Sequence, residues 1–205
     1  MPDIGLFLIA AALLAIAPGP DIVYVLTRSI AQGRHAGFAA ALGFATGVIF
    51  HTALAALGIA ALIRSSEFAF SLVRYAGAAY LVYLGIRTLM SRCAFQLGKD
   101  GTSIALWTVY RQSVIGNALN PKVTLFFLSF LPQFINVNAG HIEMQMVLLG
   151  ALFMLQTALI FGAIAFFSGA IGDRLQTNSS IANRLNVFAG VVFIALGIRV
   201  AWPTS

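Results

Sequence analysis

Two charged residues stand where an apolar sequence should exclude them. Asp21 follows Pro18, Gly19 and Pro20 in AIAPGPDIVYVLT, residues 15–27. Lys122 follows Asn120 and Pro121 in NALNPKVTLFF, residues 117–127. Proline lacks an N–H and blocks the carbonyl one turn back, so the first motif should open a helix around Ala15–Gly19. Pro20 then suits the first position of a new half-helix. Asp21 falls in its first turn, where the positive end of the helix dipole favours a carboxylate. In the second motif Asn120 is a good N-cap and Pro121 a good first residue. Lys122 opposes the dipole there. It is also the central residue between Arg111 and Gln133, where a lysine costs about 2.5–3.5 kcal/mol on insertion scales. Two unfavourable terms demand a partner. Asp21 lies only ~8 Å from the centre of its own span at ~1.5 Å per residue and is the natural one. The pair is either a fixed lock between two broken helices or a site for a zwitterion, with an ammonium near Asp21 and a carboxylate near Lys122 and the opened helix N-terminus.

Other polar residues lie deep as well: Thr46, His51 and Thr52 in one apolar run, Asn117 at the start of the second motif, and Gln156 and Thr157 in another run. Intramembrane polar side chains face a bundle interior, bonding across helices or lining a pathway. His51 also has proton relay open to it, its unperturbed pKa being about 6.5.

These residues need a membrane scaffold. The 205-residue chain is 60% hydrophobic and 9% charged, with a mean hydropathy of +0.93. Six apolar spans are expected: Ile4–Leu26, Gly37–Ile63, Phe68–Met90, Ser113–Ile135, Met144–Ile171 and Leu185–Trp202. Each is long enough for a helix to cross a bilayer. The backbone must bond internally, so the expected fold is all-α: a polytopic membrane protein in the lipid bilayer, one transporter domain over 1–205. The N-terminal run ending in Ala15-Ile16-Ala17 imitates a signal peptide. With no Lys or Arg before Arg28 and a proline after the would-be cleavage site, it reads as a retained first helix.

The net charge of +6 falls on short loops. With both termini outside, the inner side holds Arg28, Arg34, Arg87, Arg92, Lys99, Arg111, Arg174 and Arg184, and the outer side Arg64, Arg74 and Arg199. That bias predicts N-out and C-out. It also explains the basic balance without a nucleic-acid partner.

The halves of the chain resemble each other. AGAAYLVYLGIR (76–87) answers AGVVFIALGIR (189–199), HTAL (51–54) answers QTAL (156–159), and Pro20-Asp21 answers Pro121-Lys122. Two three-helix units follow, about 1–92 and 113–205, joined by a cytoplasmic loop at about 91–112. Three is odd, so the second unit crosses in the opposite sense. The expected architecture is six transmembrane helices as two inverted three-helix repeats, as in many secondary transporters, whose sites lie where corresponding spans are interrupted by Gly and Pro. Gly43 and Gly47 form a small-residue repeat suited to close helix packing.

No nucleophile elbow, zinc motif or phosphate loop is present, so no enzyme, cofactor or metal site is expected. Cys93 is the single cysteine and forms no redox pair. A cation or metabolite channel, or a non-transporting membrane subunit, remains open beside a transporter.

APGPDIVYVLTRSIAQGRHAGFAAALGFATG, NALNPKVTLFFLSFLPQFI and RYAGAAYLVYLGIRTL resemble the signature segments of the lysine exporter / homoserine–threonine resistance (LysE/RhtB) amino-acid exporters. The likeness covers nearly the whole chain. It implies a bacterial inner-membrane exporter of amino acids or close derivatives, coupled to protons. Pro18, Gly19 and Pro20 match the family's first motif, and Asn120, Pro121 and Lys122 its second. Related transporters often work as dimers, so a homodimer is a further expectation.

Overall fold

The computed structural model describes residues 4–17, 19–59, 61, 66–90, 103–169 and 179–202. The expectations placed on Pro18, Arg64, Arg92, Cys93, Lys99 and Arg174, and residues 91–102 of the expected loop, lie outside the described residues. Among those described there is no strand. Eight helices follow one another: α1 (Ile4–Ile16), α2 (Pro20–Gln32), α3 (Arg34–Leu54), α4 (Glu67–Met90), α5 (Leu106–Ala118), α6 (Pro121–Ser129), α7 (Ile142–Phe166) and α8 (Ser179–Ala201). A π-turn, Ala55–Ile59, extends α3, and two short 3-10 turns, Leu131–Phe134 and Val137–Ala139, link α6 to α7.

Three of these elements are each long and apolar enough to cross a membrane: Arg34–Gly58, Glu67–Met90 and Ile142–Phe166. Two more spans arise if each bent pair counts as one. These pairs are α1 with α2, bent by 57°, and α5 with Pro121–Phe134, bent by 47°. The apolar part of α8, Asn186–Ala201, is shorter. The chain is thus a multi-pass membrane protein, built from helices over its described residues.

Several helices outrun the apolar spans read from the sequence. The first span was expected to end at Leu26, but α2 continues to Gln32; the fourth was expected from Ser113, but α5 begins at Leu106. Hydropathy marks the residues that suit hydrocarbon, whereas helical bonding continues into the polar ends. Those ends also dock. Tyr24 Oη donates to Gln112 Oε1 at 2.6 Å, and Gln32 Nε2 donates to the Ile104 carbonyl at 2.9 Å. Gly33, at φ 86°, supplies the left-handed backbone that separates α2 from α3.

The helix α3 is central, packing on α2, α5 and α7, while α4 pairs with α8. Small residues set both approaches. A Cβ on Gly47 would lie 2.6 Å from Asn117 Cβ, and one on Gly43 2.6 Å from Ser113 Cβ, so the Gly43/Gly47 face is where α5 docks. On the other side, a Cβ on Gly190 would lie 2.6 Å from Leu89 Cγ. Apolar side chains fill the space between the helices. One cluster joins Phe7, Phe126, Phe127, Phe130, Phe134 and Phe153; a second gathers around Val25, Phe44, Val109 and Phe161. Both clusters take in residues at the first break: Leu14 and Ala17 belong to the first, Ala15 and Ile22 to the second.

Candidate functional site

The first break leaves the last carbonyls of α1 without intrahelical partners, as at any helix end. Here α1 stops at Ile16, Gly19 is extended (φ −166°), and α2 starts on Pro20. In the second break Asn120 caps α6 as its composition demands. Its Oδ1 accepts from the Lys122 backbone N–H at 3.0 Å, with Pro121 as the first helical residue.

The Lys122 side chain crosses from one break to the other. Its Nζ donates to the Leu14 carbonyl at 3.2 Å and the Ala17 carbonyl at 3.4 Å. The cation opposes the dipole of its own helix, yet it sits at the C-terminal end of α1, where positive charge is favoured. Gly19 makes room for this: a Cβ there would stand 3.2 Å from Nζ. Asp21 Oδ2 lies 3.8 Å from Nζ, and both residues are buried. The closer partner of the carboxylate is Asn120, whose Nδ2 donates to Oδ1 at 2.7 Å and Oδ2 at 2.8 Å. Asp21 therefore sits in the first turn of α2 and against the N-cap of α6. The expected pair is in place, but it is joined through an amide and two carbonyls rather than by a short direct bridge.

Beside the pair is a cavity of about 10 Å³, lined by Leu14, Asp21, Asn117, Lys122, Thr157 and Phe161 among others. That volume is room for one water and far too small for an amino acid. Two buried oxygens of its lining, Asn117 Oδ1 and Thr157 Oγ1, have no hydrogen-bond partner. Thr157 Oγ1 and the Asp21 carboxylate give the cavity acceptors suited to an ammonium group, whereas Asn117 Oδ1 stands on the α3 side, 3.0 Å from where a Gly47 Cβ would lie.

His51 is fully buried beside this site without lining the cavity. Its Nε2 meets the Asn117 carbonyl at 2.8 Å, and its Nδ1 meets Thr124 Oγ1 at 3.4 Å. Thr124 escaped the sequence reading. Its only signal there is that it stands four residues after Asn120, one helical turn on the same face; its hydroxyl donates to the Asn120 carbonyl at 3.0 Å.

The structure does not bring every candidate together. Thr46 turns to α5, accepting from Tyr110 Oη at 3.1 Å. Thr52 donates to the Val48 carbonyl and borders a groove between α3 and α7 with Ile49, Val147 and Gly150. Gln156 reaches α1 instead, its Nε2 donating to the Leu8 carbonyl at 2.9 Å. Pro20 and Pro121 start their helices with exposed rings. Among the described residues no group of three or more His, Cys, Asp or Glu could hold a metal ion.

Comparison with known proteins gives the chain its relatives. A family model described as LysE type translocator matches residues 12–203. The leucine efflux protein of Enterobacter sp. (strain 638) is 32% identical over 201 residues, 95% of this chain and 93% of its own. The leucine efflux protein of Salmonella typhimurium is 28% identical over 197 residues, covering 95% and 92%. The uncharacterized membrane protein YrhP of Bacillus subtilis (strain 168) is 31% identical over 198 residues, covering 92% and 93%. No solved structure matches the chain.

Proposed function

The chain belongs to the LysE type translocator family, and from that footing we propose that it is a proton-coupled exporter of amino acids in the bacterial inner membrane. Leucine, the substrate named for two of its relatives, is the first to test. The substrate site is the junction of the two breaks. Its ammonium takes the unpaired oxygen of Thr157 together with Asp21. Its carboxylate takes Lys122, which leaves the Leu14 and Ala17 carbonyls to receive it.

The observation that carries this reading is the crossing of Lys122 from the second break to the open end of the first. A purely structural break would need no charge brought from another helix into hydrocarbon. In this site the Lys122 ammonium is held by two carbonyls and the Asp21 carboxylate by one amide, places that a substrate carboxylate and ammonium could take. The net charge of the pair is zero, as is that of the substrate. Exchange of one for the other therefore strands no charge in the bilayer, where an uncompensated one is costly.

The cavity as it stands is too small for an amino acid, so transport requires the breaks to part. We read the chain as six spans in two inverted repeats, both termini outside. The pairing of α3 with α7 and of α4 with α8, and the matching bends of α1/α2 and α5/α6, support it. Rocking of one repeat against the other would then open the junction to each side in turn.

The test is efflux from proteoliposomes loaded with a panel of labelled amino acids, with and without an imposed pH gradient. Saturable efflux of leucine or a related amino acid, faster with the gradient, is expected. Non-saturable flux indifferent to the gradient would make the protein a channel, and no flux of any amino acid would make it a non-transporting subunit.

A further inference from the structure

His51 is buried without contact with the cavity, and its hydrogen bonds specify where protons sit. The Asn117 carbonyl can only accept, so Nε2 carries a hydrogen. Nδ1 faces the hydroxyl of Thr124, which has one proton to give. At 3.0 Å to the Asn120 carbonyl against 3.4 Å to Nδ1, that proton goes to Asn120. In a neutral imidazole the Nδ1 lone pair then faces an oxygen lone pair. A second proton on the ring removes the conflict: Nδ1–H donates to Thr124 Oγ1, Thr124 donates to the Asn120 carbonyl, and the Asn120 amide holds both oxygens of Asp21. Loss of that proton lets the Thr124 hydroxyl swing to Nδ1 and give up its bond to the Asn120 carbonyl, which keeps the Thr124 backbone N–H at 3.0 Å. The state of the ring thus alters the bonding at the backbone of the residue whose side chain caps α6 and positions Asp21.

We propose that His51 is the group that carries the coupling proton, and that Thr124 is the positioning residue that passes its state to the Asn120–Asp21–Lys122 site; this rests on the export reading above. The step is a proton transfer. Nδ1 takes H⁺ from water reaching the opened junction on one side and returns it to water on the other, while the amino acid moves outward. The charged groups facing this region are Asp21 from α2 and Lys122 from α6. The stretches of α5 and α7 packed here, 112–118 and 145–166, contain no titratable side chain. Phe50 and Phe127, with ring centroids 5.6 and 5.8 Å from that of His51, flank the imidazole with apolar surface. The proton path is therefore confined to the Thr124 side.

The experiment uses the full chain in proteoliposomes with labelled leucine, measured in two modes: efflux driven by a pH gradient, and exchange of leucine for leucine at equal pH, which needs no net proton movement. His51→Gln is expected to lose the stimulation by the gradient and to keep exchange that no longer varies with pH. Stimulation of His51→Gln equal to that of the wild type overturns the proposal. Should His51→Gln be inactive in both modes, Thr124 decides. Thr124→Val uncoupled with Thr124→Ser coupled supports the proposal, and Thr124→Val as well coupled as Thr124→Ser overturns it. A wild type that moves leucine without regard to the gradient overturns it while leaving export intact. A wild type that moves no amino acid in either mode removes the export reading, and this inference with it.

Discussion

Lys122 hydrogen-bonds the Leu14 carbonyl at 3.2 Å across 108 residues of sequence, so that the broken end of one helix is capped by the first turn of another. Asp21 completes the arrangement at 3.8 Å from the same nitrogen. Breaking a buried charge pair from one side costs about 3–5 kcal/mol, whereas replacing both partners is often neutral. Thermal unfolding in detergent should therefore show Lys122→Met and Asp21→Asn each clearly destabilised. The double variant should recover most of the loss. Additive losses would mean that the two side chains do not depend on each other.

Asn120 has two tasks, capping α6 with Oδ1 and holding Asp21 with Nδ2. Loss of an N-cap costs about 0.5–2 kcal/mol, and Asn120→Ala should lose at least that. Asn120→Asp keeps the cap acceptor but sets a carboxylate against Asp21. The buried repulsion should cost more than the retained cap returns, so the aspartate variant should be no more stable than the alanine variant and at least as poor in leucine efflux. Efflux restored by the aspartate would show that only the cap matters.

Thr157 Oγ1 is buried without a partner, so the fold gains nothing from its hydroxyl. Thr157→Val should leave the unfolding temperature unchanged or slightly raised. Its leucine KM should rise about tenfold, the value of one hydrogen bond to a charged group. An unchanged KM would remove Thr157 from the ammonium site.

The α4–α8 seam depends on the absence of side chains. Gly190→Ala would place a Cβ 2.6 Å from Leu89 Cγ and 2.8 Å from the Gly85 carbonyl. Overpacking of this kind costs about 1–3 kcal/mol. Gly58→Ala, which meets nothing within 4 Å, is the matched control and should change stability by less than about 0.5 kcal/mol. Equal unfolding temperatures for the two variants would contradict the packing described for this seam.

Much of this was readable in the sequence, for identifiable reasons. Proline and glycine announce backbone breaks whatever surrounds them, and a carboxylate and an ammonium in apolar runs can only be tolerated together, so Asp21 and Lys122 pointed to each other. Asn120 declared itself as a cap by its place before Pro121. The acceptors of Lys122 did not, because backbone carbonyls carry no signature in the sequence. Thr124 was silent for a related reason. A threonine among Val123, Leu125 and Phe126 looks like filler until the fold sets it beside His51, 73 residues away. Thr46 and Thr52 were ambiguous in another way: each hydroxyl donates within its own helix, while Thr46 also accepts from Tyr110 on α5, a choice composition does not reveal.

The central claim is that the paired breaks receive the substrate and do not merely lock the helices together. Labelled leucine efflux from proteoliposomes under a pH gradient, compared between the wild type and the Asp21→Asn/Lys122→Met double variant, tests it most directly, because the double variant is the one expected to stay folded without the charges. Efflux by the wild type and none by the folded double variant is the predicted result. Efflux by the double variant at the wild-type rate would contradict the account.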